Sequence, residues 1–304
     1  MNTERADPAQ PGPMSTLLGA AWRTRGGSLL TLRHCHGPEE LEACVDLQRQ
    51  TWGYPDIEVT PRKAFLLAQE LGGQVIAAFD EQGGMAGFAM SMAALAPASS
   101  PNSPPQPYLH SHMLAVLPEY RNQGLGARLK LAQREDALNR GILRMTWTFD
   151  PLAAKNAYLN LHRLGAIAYR YSPDFYGVSS SRLQGGLPTD RLHAEWWLQS
   201  PRVRACVRAI AGADQQQPSS SYGNEASEDR GAMPVKSTIS LPAEIEAWKQ
   251  DGLCREKLEA LQGTNRALFL DAFARGLVVT DFNKDACGDG VFALTQWHPS
   301  LSTP

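Results

Sequence analysis

One stretch constrains this chain more than any other: "HSHMLAVLPEYRNQGLGARL", His110 to Leu129. It reads as an apolar strand, a proline break, a turn holding two glycines, and the start of a helix. Backbone amides that follow a glycine turn and open a helix converge on one point, with the positive end of the helix macrodipole behind them, and that suits a phosphate. Gly124 and Gly126 permit the turn, because without a Cβ they let oxygen atoms approach the main chain. Arg121 adds a charge that assists such a contact. Taken alone the R-x-x-G-x-G pattern is weak. It gains weight from the strand before it, the helix after it, and the further strand and helix beyond.

The flanking sequence keeps that alternation. "SLLTLRHC" reads as a strand, and "GPEELEACVDLQRQTWG" opens with proline in its first turn, carries early acids, spaces Leu41, Cys44, Val45 and Leu47 for a helix, and stops at Gly53. "TPRKAFLLAQELGG" repeats the grammar as a second helix, and "QVIAAFDEQGGMAGFAMSMAAL" gives two strands about a hairpin at 81–84. A strand from about residue 108 to 117 and a helix ending at Gly141 follow. Next come the strand "ILRMTWTFD", a helix "LAAKNAYLNLHRLG" capped by Gly165, and the strands "AIAYRYSPDFYG" and "RLHAEWWLQS". The order predicts an α/β class: a mixed sheet with helices on its faces and a small C-terminal α/β extension. Residues 1–27 read as a mobile tail, 28–206 as the main domain, 211–231 as a flexible linker and 232–304 as a small subdomain packed on the first.

Bulk properties narrow the function classes. The chain has 304 residues with a formal net charge of −2, and its Lys and Arg form no continuous stripe, so nucleic acid is not an expected partner. No apolar run approaches the roughly 20 residues that a membrane helix needs, and the first residues lack a basic start before an apolar stretch. No membrane partner and a cytoplasmic location are therefore expected. Five widely spaced cysteines without a C-x-x-C pair fit reduced thiols. His34 and His36 flank Cys35, but no fourth ligand lies nearby, and no metal is expected.

"LAVLPEYRNQGLGARL" resembles the signature of the GNAT superfamily of acyl-CoA-dependent N-acyltransferases, and the succession of elements from about residue 28 to 206 resembles its fold. The resemblance implies an acyl donor such as acetyl-CoA or succinyl-CoA, and a sheet that splays open beside the strand entering the turn. It places Leu114, Ala115 and Val116 against pantetheine, and Arg121, Asn122, Gln123, Gly124, Leu125, Gly126 and Ala127 against the diphosphate. Asn156 would sit near the pantetheine arm. "WTFDPLAAKNAYLNLHRLGAIAYRYSPDFYG", with "DRLHAEWW" and the C-terminal tail, resembles a subgroup associated with N-acylamino acid racemases and with succinyl transfer to D-amino acids. The partner implied is a small-molecule amine or amino acid. Acetyl transfer to a peptide or antibiotic amine, a CoA-binding sensor without turnover, and homodimerisation stay open.

An amine attacks a thioester only as the free base, so such a site needs a route for one proton out and a donor for the departing thiolate. His110 and His112, two apart on a strand, face one side of the sheet and suit the first task. "HSHMLAV" resembles the arylalkylamine N-acetyltransferases, in which histidines at both positions line a proton path. The tyrosine that many superfamily members place four residues before the helix-ending glycine is Leu161 here. Tyr158, one turn earlier, is the nearest replacement, with Tyr171 and Tyr176 behind it. Asp150 is a second base or an amine anchor, or the cap of the next helix. Arg144, Arg163 and Arg170 are candidates for a carboxylate fork.

Overall fold

A computed structural model describes residues 17–97, 104–177, 184, 186–215 and 233–302 of the chain. It holds one eleven-stranded sheet in the order β1-β2-β3-β4-β5-β6-β8-β7-β10-β11-β9. The first part runs through β2 (Leu29–His34), α1 (Gly37–Trp52), α2 (Arg62–Glu70), β3 (Gln74–Phe79), β4 (Met85–Ala96) and β5 (Gln106–Val116). After the glycine turn come α3 (Leu125–Asn139), β6 (Arg144–Phe149), the short α4 (Ala154–Ala157), β7 (Ile167–Ser172) and β8 (Arg191–Trp197). These elements follow the predicted order, because period-two and period-3.6 apolar spacing alternate cleanly along this part of the chain.

Three features depart from expectation. Within the stretch expected to be a mobile tail, β1 (Ala21–Arg23) pairs antiparallel with β2, setting Trp22 opposite Leu30. A turn from Thr24 to Gly27 folds the chain back, and Trp22 packs on the cluster of Leu30, Leu32, Leu125 and Leu129, which outweighs the polar composition around it. The helix expected to run to Gly165 is α-helical only to Ala157 and continues as a π-helical turn, Tyr158–Arg163. A helix α5 (Pro201–Gln215) runs into the first residues of the expected linker. Its signal was the helical spacing of Val203, Cys206 and Ile210, all buried. The rest of that linker, 216–231, and residues 1–16 lie outside the described residues.

Two apolar layers flank the first half of the sheet. On one face α1 and α2 bury Leu41, Val45 and Phe65 against Val75, Ala77, Phe88 and Met90, with Phe65 edge-on to Phe88 at 5.6 Å. On the other, α3 covers Ile76, Ala78 and Ala89. The C-terminal elements β9 (Val235–Leu241), α6 (Ile245–Gln250), α7 (Arg255–Ala274), β10 (Leu277–Lys284) and β11 (Gly290–Gln296) extend the same sheet. β10 joins β7 through the single rung Val279 with Ala168. One core runs across that junction, from Trp147 and Trp196 through Tyr171 to Phe269, Phe282 and Phe292.

Candidate active site

The glycine turn is built as the sequence requires. Gly124 stands at the N-cap of α3 with φ 93°, a left-handed conformation that side chains resist, and Asn122 shares it at φ 60°. The first bond of the helix runs from Arg128 N to Gly124 O, which leaves the amides of Leu125, Gly126 and Ala127 without an intrahelical acceptor. Amides that open a helix in this way are the kind of donor set that a diphosphate takes. Gly126 lies against Leu114 of β5 and Leu159 of the π-helical turn. The side chains are engaged otherwise than expected. Arg121 Nε donates to Val116 O at 3.1 Å, and Gln123 Oε1 accepts from Thr24 Oγ1 at 2.7 Å and from Gly26 N at 3.2 Å. The N-terminal segment therefore braces the turn through Gln123 and through Trp22, which lies in van der Waals range of a Cβ built on Gly124.

Beside this turn the sheet opens. β5 and β6 are parallel neighbours, but only Leu109 with Met145 and His110 with Thr146 are paired. β5 stays paired with β4 as far as Val116, so its edge from Ser111 to Val116 faces no strand on the β6 side. Main-chain groups on such an edge are ready to pair with an extended ligand. The pairing with β4 slips between Met90 with Met113 and Ser91 with Ser111, leaving His112 as the extra residue of a β-bulge. Leu114, Ala115 and Val116 follow the bulge along the open edge.

His110 and His112 stand on one side of the sheet, ring centroids 6.4 Å apart. His110 Nδ1 and Thr146 Oγ1 are 3.0 Å apart. Burial, with the like charges of His112 and Lys130, holds the pKa of His110 down at about 4. His112 is exposed by area yet crowded by protein atoms, and that desolvation lowers its pKa too. Both rings are therefore neutral near pH 7, the form that accepts a proton.

The same face carries groups that sequence reasoning missed. Along β6 and β8 the register sets Thr148 beside His193, Thr146 beside Glu195 and Arg144 beside Trp197. His193 shares a 2.8 Å hydrogen bond with Ser172 Oγ, and burial, Arg170 and His110 lower its pKa to about 4. Arg144 lies over the rings of Tyr108 and Trp197, at 4.6 and 5.3 Å. Tyr176, at the exposed end of the β7–β8 loop, shares a 3.0 Å hydrogen bond with Thr148. The period-two spacing of Arg191, His193, Glu195 and Trp197 was visible, but only the pairing of β8 with β6 brings that row beside His110. A shallow depression bounded by Glu42, Arg49, Asp56 and Arg62 lies away from these groups, against α1, and holds no histidine.

Other predicted residues are placed elsewhere. Asp150 caps the chain after β6, accepting from Leu152 N at 2.8 Å, and its second oxygen is 2.7 Å from Lys249 Nζ in a nearly buried ion pair. Its carboxylate is thereby committed to the fold. Tyr158 stacks on His162 with centroids 4.8 Å apart, and His162 reaches Asp281 of β10 at 3.0 Å, so the ring is drawn toward the C-terminal strands. Asn156 is exposed on α4. Tyr171 donates to Asp190 at 2.6 Å inside the core. Trp147 and Trp196 pack edge to face in the core, and only Trp197 reaches the open face. His34 pairs with Asp136 at 3.2 Å, and among the described residues no group of three or more His, Cys, Asp or Glu is placed to hold a metal. None of the described helices is long and apolar enough to cross a membrane.

A sheet opened between two parallel strands, with a glycine-started helix at the opening, is consistent with a GNAT-like acyltransferase fold. More particularly, residues 41–165 match the model of the acetyltransferase (GNAT) family, a segment that contains β5, the turn, α3 and β6. Similar solved structures include the ribosomal-protein-S18-alanine N-acetyltransferase from Escherichia coli, 17% identical over 55% of this chain and 92% of that chain, with a TM-score of 0.42. Another is Arabidopsis thaliana NAA60 in complex with a bisubstrate analogue, 16% identical over 55% of this chain and 98% of that chain, TM-score 0.44. A third is Chaetomium thermophilum Naa20, also with a bisubstrate analogue, 21% identical over 59% and 89%, TM-score 0.42. No curated protein matches the sequence.

Proposed function

We propose that this enzyme transfers an acyl group from acetyl-CoA or succinyl-CoA to the primary amine of a small molecule, an amino acid of D configuration being the preferred candidate, by direct attack with both substrates bound. The observation that carries the reading is the opening between β5 and β6, flanked by the amides that start α3 after the glycine turn and by two histidines with lowered pKa. The amides of the turn hold the diphosphate, with Arg121 close by. The free edge of β5 at Leu114, Ala115 and Val116 pairs with the pantetheine arm, and Asn156 lies along its path. Holding thioester and amine in one frame supplies much of the acceleration. His112 takes the ammonium proton and passes it toward His110, and both can receive it because desolvation keeps them neutral.

The open face also suits an amino acid. Arg144, held between Tyr108 and Trp197, presents a guanidinium two residues along β6 from Thr146 and fits a carboxylate. The succinyl and D-amino acid assignments rest on the sequence resemblance. A free-thiol release assay crossing acetyl-CoA and succinyl-CoA with D- and L-amino acids tests them, and the expected result is one donor and one configuration clearly preferred. Equal rates for every pair remove the succinyl and D-amino acid assignments. CoA binding with no thiol released across a broad amine panel leaves a binding module instead of an enzyme.

A further inference from the structure

We propose, on the reading of the chain as an acyl-CoA-dependent acyltransferase, that Lys130 is the acid that protonates the thiolate as it leaves the acyl donor. The last rung joining β5 to β6 is His110 with Thr146. Ser111 and Trp147 are the first residues past it, and Lys130, reaching in from α3, meets both. Its Nζ donates to Ser111 Oγ at 2.7 Å and lies 3.8 Å from the centre of the Trp147 ring. The ammonium group thus stands where the two strands part, on the opposite face of β5 from His110.

Its surroundings are unusual for a buried charge. Lys130 is 4% exposed, and no carboxylate pairs with it among the described residues. Two further donors belong to side chains that touch this place: the Gln133 amide, whose oxygen accepts from Ser111 at 3.0 Å, and the indole N–H of Trp147, whose ring lies under Lys130. Gln133 Nε2 and Trp147 Nε1 are both buried without an acceptor. The apex of the opening therefore holds a buried positive charge met only by a neutral hydroxyl and an aromatic ring, beside two N–H donors without an acceptor. Buried polar groups are rarely left so unless an acceptor or an anion arrives from outside. A sulfur gaining negative charge is such a group, and no tyrosine fills the usual position, which is Leu161.

The step balances. The amine nitrogen bonds to the thioester carbon, the C–S bond breaks with its electron pair going to sulfur, and Nζ gives sulfur a proton, leaving a free thiol and a neutral lysine. The proton lost by the attacking nitrogen leaves through His112, and lysine and histidine reset by exchange with water. Burial lowers the lysine pKa to about 7, below the roughly 8.5 of an ordinary thiol, so the transfer runs downhill. His110 across β5 is the titratable group that feels this charge; Ser111, Gln133 and Trp147, which also face Lys130, are uncharged.

Lys130→Met and Lys130→Arg test the assignment. Wild-type kcat should fall on the alkaline side as the donor loses its proton. Both variants should bind CoA within about threefold of wild type, lose roughly 100-fold or more in kcat, the usual scale for a general acid, and lack that alkaline limb. The arginine variant keeps the charge but cannot release the proton, so it also guards against a packing defect in the methionine variant. If wild type releases thiol and the variants keep kcat within threefold, or keep the alkaline limb, Lys130 is not the acid. A wild type that turns over no donor overturns the transferase reading and this assignment with it.

Discussion

In the proposed proton path a histidine has to be neutral when the ammonium arrives, and crowding by protein atoms lowers the pKa of both His110 and His112. The sign follows from the base form. On that proposal the bound amine is deprotonated inside the site when His112 is present; without it, more of the amine must arrive already free, which requires a higher pH. His112→Ala is therefore expected to lower kcat and move the optimum of the pH–rate profile upward. A rate loss with an unmoved profile would count against its proton role. Asp150 shows the limit of arguing from residue type alone, since its place at the end of β6 suited a base, but Lys249 and the Leu152 amide occupy both oxygens.

At the scale of elements, the site is a set of interruptions in regular structure. The bulge at His112, the loss of pairing after His110 and the left-handed Gly124 each break a ladder or a helix at the point where a ligand is expected to add its own groups. Gly124→Ala imposes the strain of a side chain at φ 93°, about 1–2 kcal/mol. It should weaken CoA binding in a calorimetric titration as well as lower the melting temperature. Gly19→Ala, at φ 83° with open space around it, is the control: it should lower the melting temperature comparably and leave CoA affinity unchanged. Equal affinities for the two variants would show that the turn does not hold the nucleotide.

Across the whole molecule, the C-terminal elements are tied to the first half of the sheet by more than one sheet rung. Arg266 of α7 reaches the fully buried Asp190 at 2.8 and 2.9 Å, and Lys249 of α6 reaches Asp150. Removing one partner of a buried pair strands the other charge, at a cost of about 3–5 kcal/mol, whereas removing both costs much less. Lys249→Met should accordingly lower the urea midpoint far more than the double variant with Asp150→Asn. A single variant as stable as wild type would mean that the pair does not couple the two parts.

The alternation of strands and helices and the glycine turn could be read from consecutive residues, because apolar period and φ requirements are local. The sequence also marked His110 and His112 by their spacing. It took the folded arrangement to set Trp22 and Gln123 against the turn, to bring His193 and Glu195 on β8 beside β6, and to end Lys130 where β5 leaves β6. Those outcomes depend on which strands become neighbours and where their pairing stops, and residues far apart in the chain settle that together through the surface they bury.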